Sequence, residues 1–477
     1  MEKTISSNLR AKIRKDKNFT IIPFNRRPIK ESYLVSNVLG GWDFLNEEEF
    51  RAFNSFNLDR DSSLFTRLHE RGLVADERNI ESLIEGYRTL NAHLFSDTSL
   101  HIAVVTTRCN LQCTYCQSKS PQRKDMDIEV AARVLKYLFE VRTTAVTLEL
   151  QGGEPLLNWE TVKFLVEHAR KFNKSKNLQL ALVSNCVLLD EVKMKFLADF
   201  NVSLCCSLDG PRQLHDAYRR FPNGEGSYTQ AVKNIKFFEE KFGRKVGLLP
   251  TITKHSFGYF KEIVDEHLRW KQPDIALRPV NQIGGACTYW PALGYSAEEF
   301  IVFYKNSMDY ILELNKKGIF IRERMAAFML KKILSREDPG FVELMNPCGA
   351  GRGQIVYMPD GSCYPCDEAR MVEDELFCLG NILKEDYDIL MRKDNLLHLL
   401  ESSVMNLWDY NSAFFPWTGT CPVVNYYTQK NFVPKIACSP LHKVYNFQFQ
   451  YIFEKMLEDK DNMNIFKRWV KKEVDHA

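Results

Sequence analysis

LHIAVVTTRCNLQCTYCQS, residues 100–118, is the stretch on which the fold reading turns. Its first seven residues are almost continuously apolar. That is how a strand reads when both faces of its sheet are covered, as in a parallel sheet flanked by helices. The run stops at Thr106, and a polar loop follows at once with Cys109, Cys113 and Cys116 in C-x3-C-x2-C spacing. Outward from it, strand-like runs recur at 145–151, 178–184, 202–208, 245–252 and 274–280. Helical patterns lie between them near 127–141, 159–172, 190–198, 228–242, 256–269 and 296–315. Strands alternating with helices predict an α/β fold with a parallel sheet. Six units are too few for a closed eight-unit barrel, so residues 96–320 predict a partial (β/α)6 TIM-like barrel. In such barrels the active site lies at the C-terminal ends of the strands.

Three segments surround the barrel. Residues 1–95 carry strand-like FTIIPFN and SYLVSNV, a GGWDF turn, a helix start with Asn46 as N-cap, and helical stretches near 63–72 and 80–94. They predict a small α+β, winged-helix-like module, read either as a leader-binding module or as a structural cap. Residues 10–17 form a basic arm, read as a solvated tail. Residues 321–345 predict a helical linker. Residues 346–477 combine an irregular, Gly-, Pro- and Cys-rich stretch with two final helices near 443–459 and 462–473.

The 477 residues carry 64 Lys and Arg against 61 Asp and Glu, a net charge of +3. Such a balance excludes a dedicated nucleic-acid binder, which concentrates basic charge in a domain. There is no apolar run long enough to span a membrane, and the charged N-terminus lacks the apolar core of a secretory signal. A cytoplasmic location is expected. In a reducing compartment the 13 cysteines read as metal ligands or buried thiols rather than disulfides.

Three thiolates on one tight loop suit three irons of a [4Fe–4S] cluster and leave the fourth open, whereas electron-transfer clusters normally take four cysteines. The competing reading, structural zinc, needs a fourth ligand; the nearest histidine is His101, on the preceding strand. The C-x3-C-x2-C spacing after a first barrel strand, with Tyr115 before the third cysteine, resembles the radical SAM superfamily. The resemblance implies that S-adenosylmethionine chelates the open iron. One electron then cleaves it to methionine and a 5'-deoxyadenosyl radical.

Other rim motifs carry the same resemblance. LELQGGEPLLN ends the second strand; Gly152 and Gly153 permit close backbone approach and Pro155 sets the turn. The segment is similar to the family's GGEP motif, which implies that Gln151, Gly152, Gly153, Glu154 and Pro155 contact the cofactor and that Glu154 receives its amino group. LVSNC places Ser184 and Asn185 on the rim, with Cys186 where the family usually has glycine. CSLDGPRQLHDAYRR supplies Ser207 and Asp209 for ribose or carboxylate oxygens. Its Arg219 or Arg220 is expected to neutralise the cofactor carboxylate, for which a guanidinium is suited. Cys205 and Cys206 read as core thiols.

The run NPCGAGRGQIVYMPDGSCYPCDEARMVEDELFCLGNI resembles the opening of a SPASM or twitch domain, which implies auxiliary [4Fe–4S] clusters. Aligned on GTCPV, the second half holds Asp409, Ser412, Thr418 and Cys421, with Cys438 beyond. Three expected thiols are missing, so two auxiliary clusters are not expected. One cluster that uses Cys348, Cys366 and Cys421 with Cys363 or Cys378, or with Asp409 as an oxygen ligand, and a domain that keeps its fold without metal, both stay open; Cys438 completes the six thiols of the region. YLVSN, CGAGRGQ, YPCDEARM and TCPVVNY are most similar to the radical SAM maturase of His-Xaa-Ser peptide systems. The resemblance implies modification of a ribosomally made precursor peptide by cross-linking, epimerisation or oxidation. It also implies an electron donor such as flavodoxin or ferredoxin, and work shared with a second maturase. The alternatives are a sulfatase-type maturase that oxidises a Cys or Ser, and a non-catalytic peptide-binding partner.

Overall fold

A computed structural model describes residues 19–120, 122–405 and 411–471; the basic arm and Asp409 lie outside the described residues. At the N-terminus β1 (Phe24–Ile29), β2 (Ser32–Asn37) and β3 (Trp42–Leu45) form an antiparallel meander. GGWDF, read as a turn, divides into the turn itself, where Gly40 has φ +76°, and strand β3. Helix α1 (Glu47–Asn54) starts where Asn46 and Glu49 form a reciprocal capping box. Helices α2 (Ser63–Glu70) and α3 (Ile80–Leu90) follow. The module is not free-standing. Trp42 donates its indole N–H to the Ile333 carbonyl at 2.9 Å and meets Phe453 edge-on at 5.2 Å. Ile29 and Leu34 join the core of the C-terminal helices.

All six expected barrel strands are present, with helices on their outer face. Strands β4 (Leu100–Thr106), β5 (Ala145–Gly152), β6 (Asn177–Ser184) and β7 (Val202–Cys206) pair in parallel, in that order. Helix α4 (Ile128–Glu140) joins β4 to β5, α5 (Trp159–Phe172) joins β5 to β6, and α6 (Glu191–Asp199) joins β6 to β7. The fifth strand is split into Gly247–Leu248 and Thr251–Ile252 around Pro250, which has no N–H for the ladder. The sixth is split into Asp274–Ile275 and Arg278–Pro279. The side chains on the outer face of β4–β7 and the inner faces of α4–α6 form one continuous core.

Both edges of this open barrel are covered by later parts of the chain. Arg322–Glu323 pairs in parallel with Asp274–Ile275. The segment read as a helical linker therefore carries a barrel-edge strand, then the buried helix Arg324–Leu330. On the other edge Gln354–Tyr357 adds in parallel to β4, and it continues as a hairpin with Ser362–Tyr364. An unpaired edge is a template for aggregation, and covering it removes the liability. The C-terminal helices Pro440–Glu458 and Lys460–Lys471 close the back.

His101, the histidine nearest the cysteine loop in sequence, is fully buried on the helix-facing side of β4. Its Nδ1 lies 2.7 Å from the Tyr357 hydroxyl. Burial pushes its pKa down to about 3, so it is a neutral core residue. The unfolded chain takes up a proton below about 6.5 while the folded chain does not, so stability is present above 6.5 and is lost as pH falls toward 3. His101→Gln should flatten that dependence. Relative to wild type, the variant should retain about 2 kcal/mol more of its neutral-pH stability at pH 5, at about 1.36 kcal/mol per pKa unit. Denaturant titrations at pH 7 and pH 5 measure this; parallel losses in both proteins would show that His101 does not titrate on unfolding.

Candidate active site

The loop with Cys109, Cys113 and Cys116 is held from three sides. At its base Arg108 grips Asp125 with two hydrogen bonds, at 2.9 and 2.6 Å, and Thr106 Oγ1 donates to the same carboxylate at 2.6 Å. From the second strand, Gly153 N–H donates to the Thr106 carbonyl at 2.9 Å and Glu154 N–H to the Arg108 carbonyl at 2.8 Å. A Cβ on Gly152 would stand 2.2 Å from the Thr106 oxygen, and one on Gly153 2.2 Å from that of Arg108. What these glycines admit is thus the cysteine loop itself. From the fourth strand's return, Gln112 N–H donates to the Arg220 carbonyl at 2.8 Å and Thr114 N–H to the Tyr218 carbonyl at 3.3 Å.

The third side was not anticipated from sequence. After the sixth strand, Gly284 and Gly285 press on the loop: added Cβ atoms would stand 2.0 Å from the Gln117 oxygen and 2.4 Å from the Cys116 oxygen. Gly284 also has φ +55°. Gln117 Nε2 donates to the Asn281 carbonyl at 3.2 Å. The Gly-Gly pair in NQIGGAC was the available signal, parallel to that in LQGGEP.

Behind the loop, Glu154 is fully buried and accepts from Ser184 Oγ at 2.8 Å, Asn185 N–H at 2.9 Å and Leu156 N–H at 3.1 Å. Burial pushes its carboxyl up to about 7, and these donors pull the other way. Asn185 Nδ2 donates to Asn110 Oδ1 at 2.8 Å and lies 4.0 Å from Cys109 Sγ. Cys186 takes the left-handed conformation, φ +61°, so the chain keeps the turn that glycine usually makes there. For a residue with a Cβ the cost is about 1–2 kcal/mol. Its buried thiol packs in the main core with Cys206.

Asp209 joins Tyr115 and Arg219. Tyr115 donates its hydroxyl to Asp209. Arg219 donates Nε and Nη2 to the carboxylate at 2.9 and 3.2 Å, and its guanidinium stands 5.1 Å over the Tyr115 ring. Thr251 N–H adds a third donor at 3.1 Å. With its oxygens so engaged, Asp209 orients Tyr115 and Arg219. Of the two arginines, Arg219 is the buried one; Arg220 is exposed. Ser207 is half-buried on the same rim. Gln151 is tied to the C-terminal region: Nε2 donates to Asp367 at 3.2 Å, and its oxygen accepts from Arg370 at 3.2 Å. Pro155 is buried and opens the short turn Pro155–Asn158.

Burial raises all three loop thiols, Cys109 to about 11 and Cys113 to about 12, and nearby Arg219 pulls each of them down. Among the described residues no three of His, Cys, Asp and Glu converge as ligands of a single metal ion would. Three neighbouring soft donors on one clamped loop, beside a buried cation, instead suit a multi-iron cluster whose corners each take one thiolate.

A second set of thiols lies in the C-terminal region. Cys348 and Cys366 are buried and Cys421 is half-buried, and the three lie close enough to feel one another's charge, with Glu368 beside them. Burial raises all three thiols, and the backbone N–H groups of Ala350, Ala369 and Val424 nearby pull Cys348, Cys366 and Cys421 respectively the other way. Cys366 and Cys421 also sit at the N-caps of Asp367–Val372 and Pro422–Gln429, where a helix dipole favours a thiolate. The other three cysteines are elsewhere. Cys363 is in the barrel core, Cys378 Sγ lies 3.6 Å from the Gly380 carbonyl, and Cys438 is exposed. Ser412 Oγ accepts from Phe414 N–H at 3.2 Å and Thr418 is buried.

Residues 103–267 match the sequence profile of the Radical SAM superfamily. This stretch is a radical SAM domain. The enzyme is 28% identical over 289 residues to the cysteine-type anaerobic sulfatase-maturating enzyme of Clostridium perfringens, a match covering 56% of this chain and 74% of that relative. Its fold is similar to that of native anSMEcpe with bound AdoMet, with a TM-score of 0.66, 22% identity and coverage of 78% of this chain and 99% of that chain. It is also similar to Streptococcus suis SuiB bound to precursor peptide SuiA, with a TM-score of 0.53, 15% identity and coverage of 87% and 98%. Its cofactors are a [4Fe–4S] cluster and S-adenosylmethionine, and the clamped thiol triad fits that cluster. No helix among the described residues is long and apolar enough to cross a membrane.

Proposed function

We propose that this radical SAM enzyme modifies a ribosomally made precursor peptide, by cross-linking, epimerisation or oxidation. The observation that carries the proposal is that likeness to these two folds covers 78% and 87% of the chain, more than the barrel alone accounts for. With cluster and cofactor bound, the site supplies a 5'-deoxyadenosyl radical that takes a hydrogen atom from the substrate. The chain's own residues do the rest. Cys109, Cys113 and Cys116 hold three corners of the cluster. Glu154, Ser184, Asn185 and Ser207 face the cofactor along the rim, and Arg219, held by Asp209, offers a cation to its carboxylate. The Gly284–Gly285 segment keeps the loop closed.

Cys348, Cys366 and Cys421 are the ligands for one auxiliary cluster in this reading. Such a cluster gives electrons an exit, which favours oxidative modification and keeps the sulfatase-type reading, oxidation of a Cys or Ser, as the second one. The N-terminal meander would hold the leader by strand addition. Because its sheet shares a core with the C-terminal helices, substitutions on an exposed strand edge test this better than removal of residues 1–95. A donor such as flavodoxin or ferredoxin, and a second maturase, complete the proposal.

The test is to reduce the reconstituted enzyme with S-adenosylmethionine and to measure 5'-deoxyadenosine with and without peptides encoded by short neighbouring reading frames. Slow formation alone, and a rise together with a mass change on one peptide, is expected. A peptide that binds with no 5'-deoxyadenosine under any reductant would instead identify a non-catalytic partner.

A further inference from the structure

A cavity of about 110 Å³ lies between the sixth barrel strand, the helix Arg324–Leu330 and the C-terminal helix Pro440–Glu458. Its carboxylates are already engaged. Glu323 accepts from Tyr304 at 2.9 Å, Ala326 N–H at 2.7 Å and Leu277 N–H at 3.3 Å. Glu343 accepts from Arg278 at 2.8 Å and from Tyr445 at 2.5 Å. Arg278 also reaches Glu368 at 2.9 Å.

Two buried lining atoms have no hydrogen-bond partner among the described residues. The Nε of Arg324 is buried and bonds to no described residue, and its guanidinium forms no ion pair among them. On the opposite wall Gln448, 2% exposed, has an Oε1 that is buried and unbonded. Leaving a buried donor or acceptor unmade is costly, and more so for a charged group. The complement of this pair is an anion beside an N–H donor. A carboxylate matches the planar fork of a guanidinium, and a neighbouring peptide N–H can donate to Gln448. The volume equals that of about four waters at ~30 Å³ each, which admits one side chain and excludes a folded segment.

The cavity borders the reactive site. Leu249 lines it, and two residues on Thr251 donates to Asp209. Asn281 lines it too and accepts from Gln117, next to Cys116. We propose that the cavity is a subsite for a carboxylate of the substrate peptide, an acidic side chain close in sequence to the modified residue. The proposal rests on the peptide-modifying reading above.

Calorimetric titration of the reconstituted, S-adenosylmethionine-loaded enzyme tests it with blocked amino acids, without turnover. N-acetyl-L-glutamate N-methylamide should bind about tenfold or more tightly than its glutamine counterpart. N-acetylglycine, which carries only a terminal carboxylate, separates a side-chain acid from a chain end. Arg324→Gln should abolish the acid preference, Arg324→Lys should keep part of it, and Gln448→Leu should weaken both blocked amides. Equal binding of acid and amide, or an acid preference that survives Arg324→Gln, would overturn the subsite. If Arg324→Gln does not fold, the wild-type comparison and the lysine variant still decide. Tighter binding of N-acetylglycine than of the glutamate probe would reassign the cavity to a chain terminus and overturn the side-chain proposal. Failure of the peptide-modifying reading is seen separately, as absent 5'-deoxyadenosine in an enzyme that still selects the acid.

Discussion

Replacing Cys109, Cys113 and Cys116 with alanine should eliminate S-adenosylmethionine cleavage and remove about 4 irons per chain, the content of one [4Fe–4S] cluster. The three thiols are the only cysteines on the loop that Gly152–Gly153, Gly284–Gly285 and the Arg108–Asp125 pair hold in place. No histidine can substitute, because His101 points into the core on the far side of β4. The clamps are largely backbone contacts, so the variant should keep its fold and its far-ultraviolet circular dichroism. Anaerobic reconstitution, iron analysis and chromatography of 5'-deoxyadenosine measure the effect. Wild-type rates of 5'-deoxyadenosine from a folded triple variant would refute the assignment of the site.

The second large effect is expected in the C-terminal trio. Wild-type enzyme should hold about 8 irons per chain, and replacing Cys348, Cys366 and Cys421 with alanine should reduce this to about 4. Replacing Cys363, Cys378 and Cys438 should leave the count unchanged, since those sulfurs lie in the barrel core, beside Gly380 and at the surface. The trio is singled out by proximity: the three sulfurs lie close enough to feel one another's charge, beside two helix N-termini that offset part of the rise caused by burial. Oxygen ligands cannot replace soft thiolates without large losses of affinity. About 12 irons in the wild type would mean a second auxiliary cluster that these residues do not explain. An unchanged count in the trio variant would leave the region acting by shape alone.

Much of the catalytic rim was legible because its determinants are local. The C-x3-C-x2-C spacing, the GGEP turn and the SLDGP turn each lie within a few residues at the end of a strand, and period and turn chemistry place strand ends. Asn46 and Glu49 could be read as a helix start for the same reason: a capping box is a four-residue event. Cys186 shows where a local rule yields. Packing in the core holds a non-glycine residue at φ +61°, and the turn survives the substitution.

What only the tertiary structure decided involves partners far apart in sequence. Sequence grouped Cys348, Cys366 and Cys421 and left Cys363 and Cys378 as rivals for a fourth place; the fold puts Cys363 in the barrel core and Cys378 beside Gly380. Asp209 and Gln151 carry polar groups that sequence assigned to the cofactor; in the fold Asp209 holds Tyr115 and Arg219, and Gln151 meets Asp367 and Arg370. The segment 321–345, which reads as a linker, supplies Arg322–Glu323 to the barrel edge and Arg324 to the cavity wall. Gly284–Gly285 looks like any flexible pair until the Cys116 and Gln117 carbonyls stand against it. The physical reason is common to all four. Spacing along the chain determines which residues share a turn, whereas the partner of a buried polar group or a side-chain-free surface is determined by packing between elements tens to hundreds of residues apart.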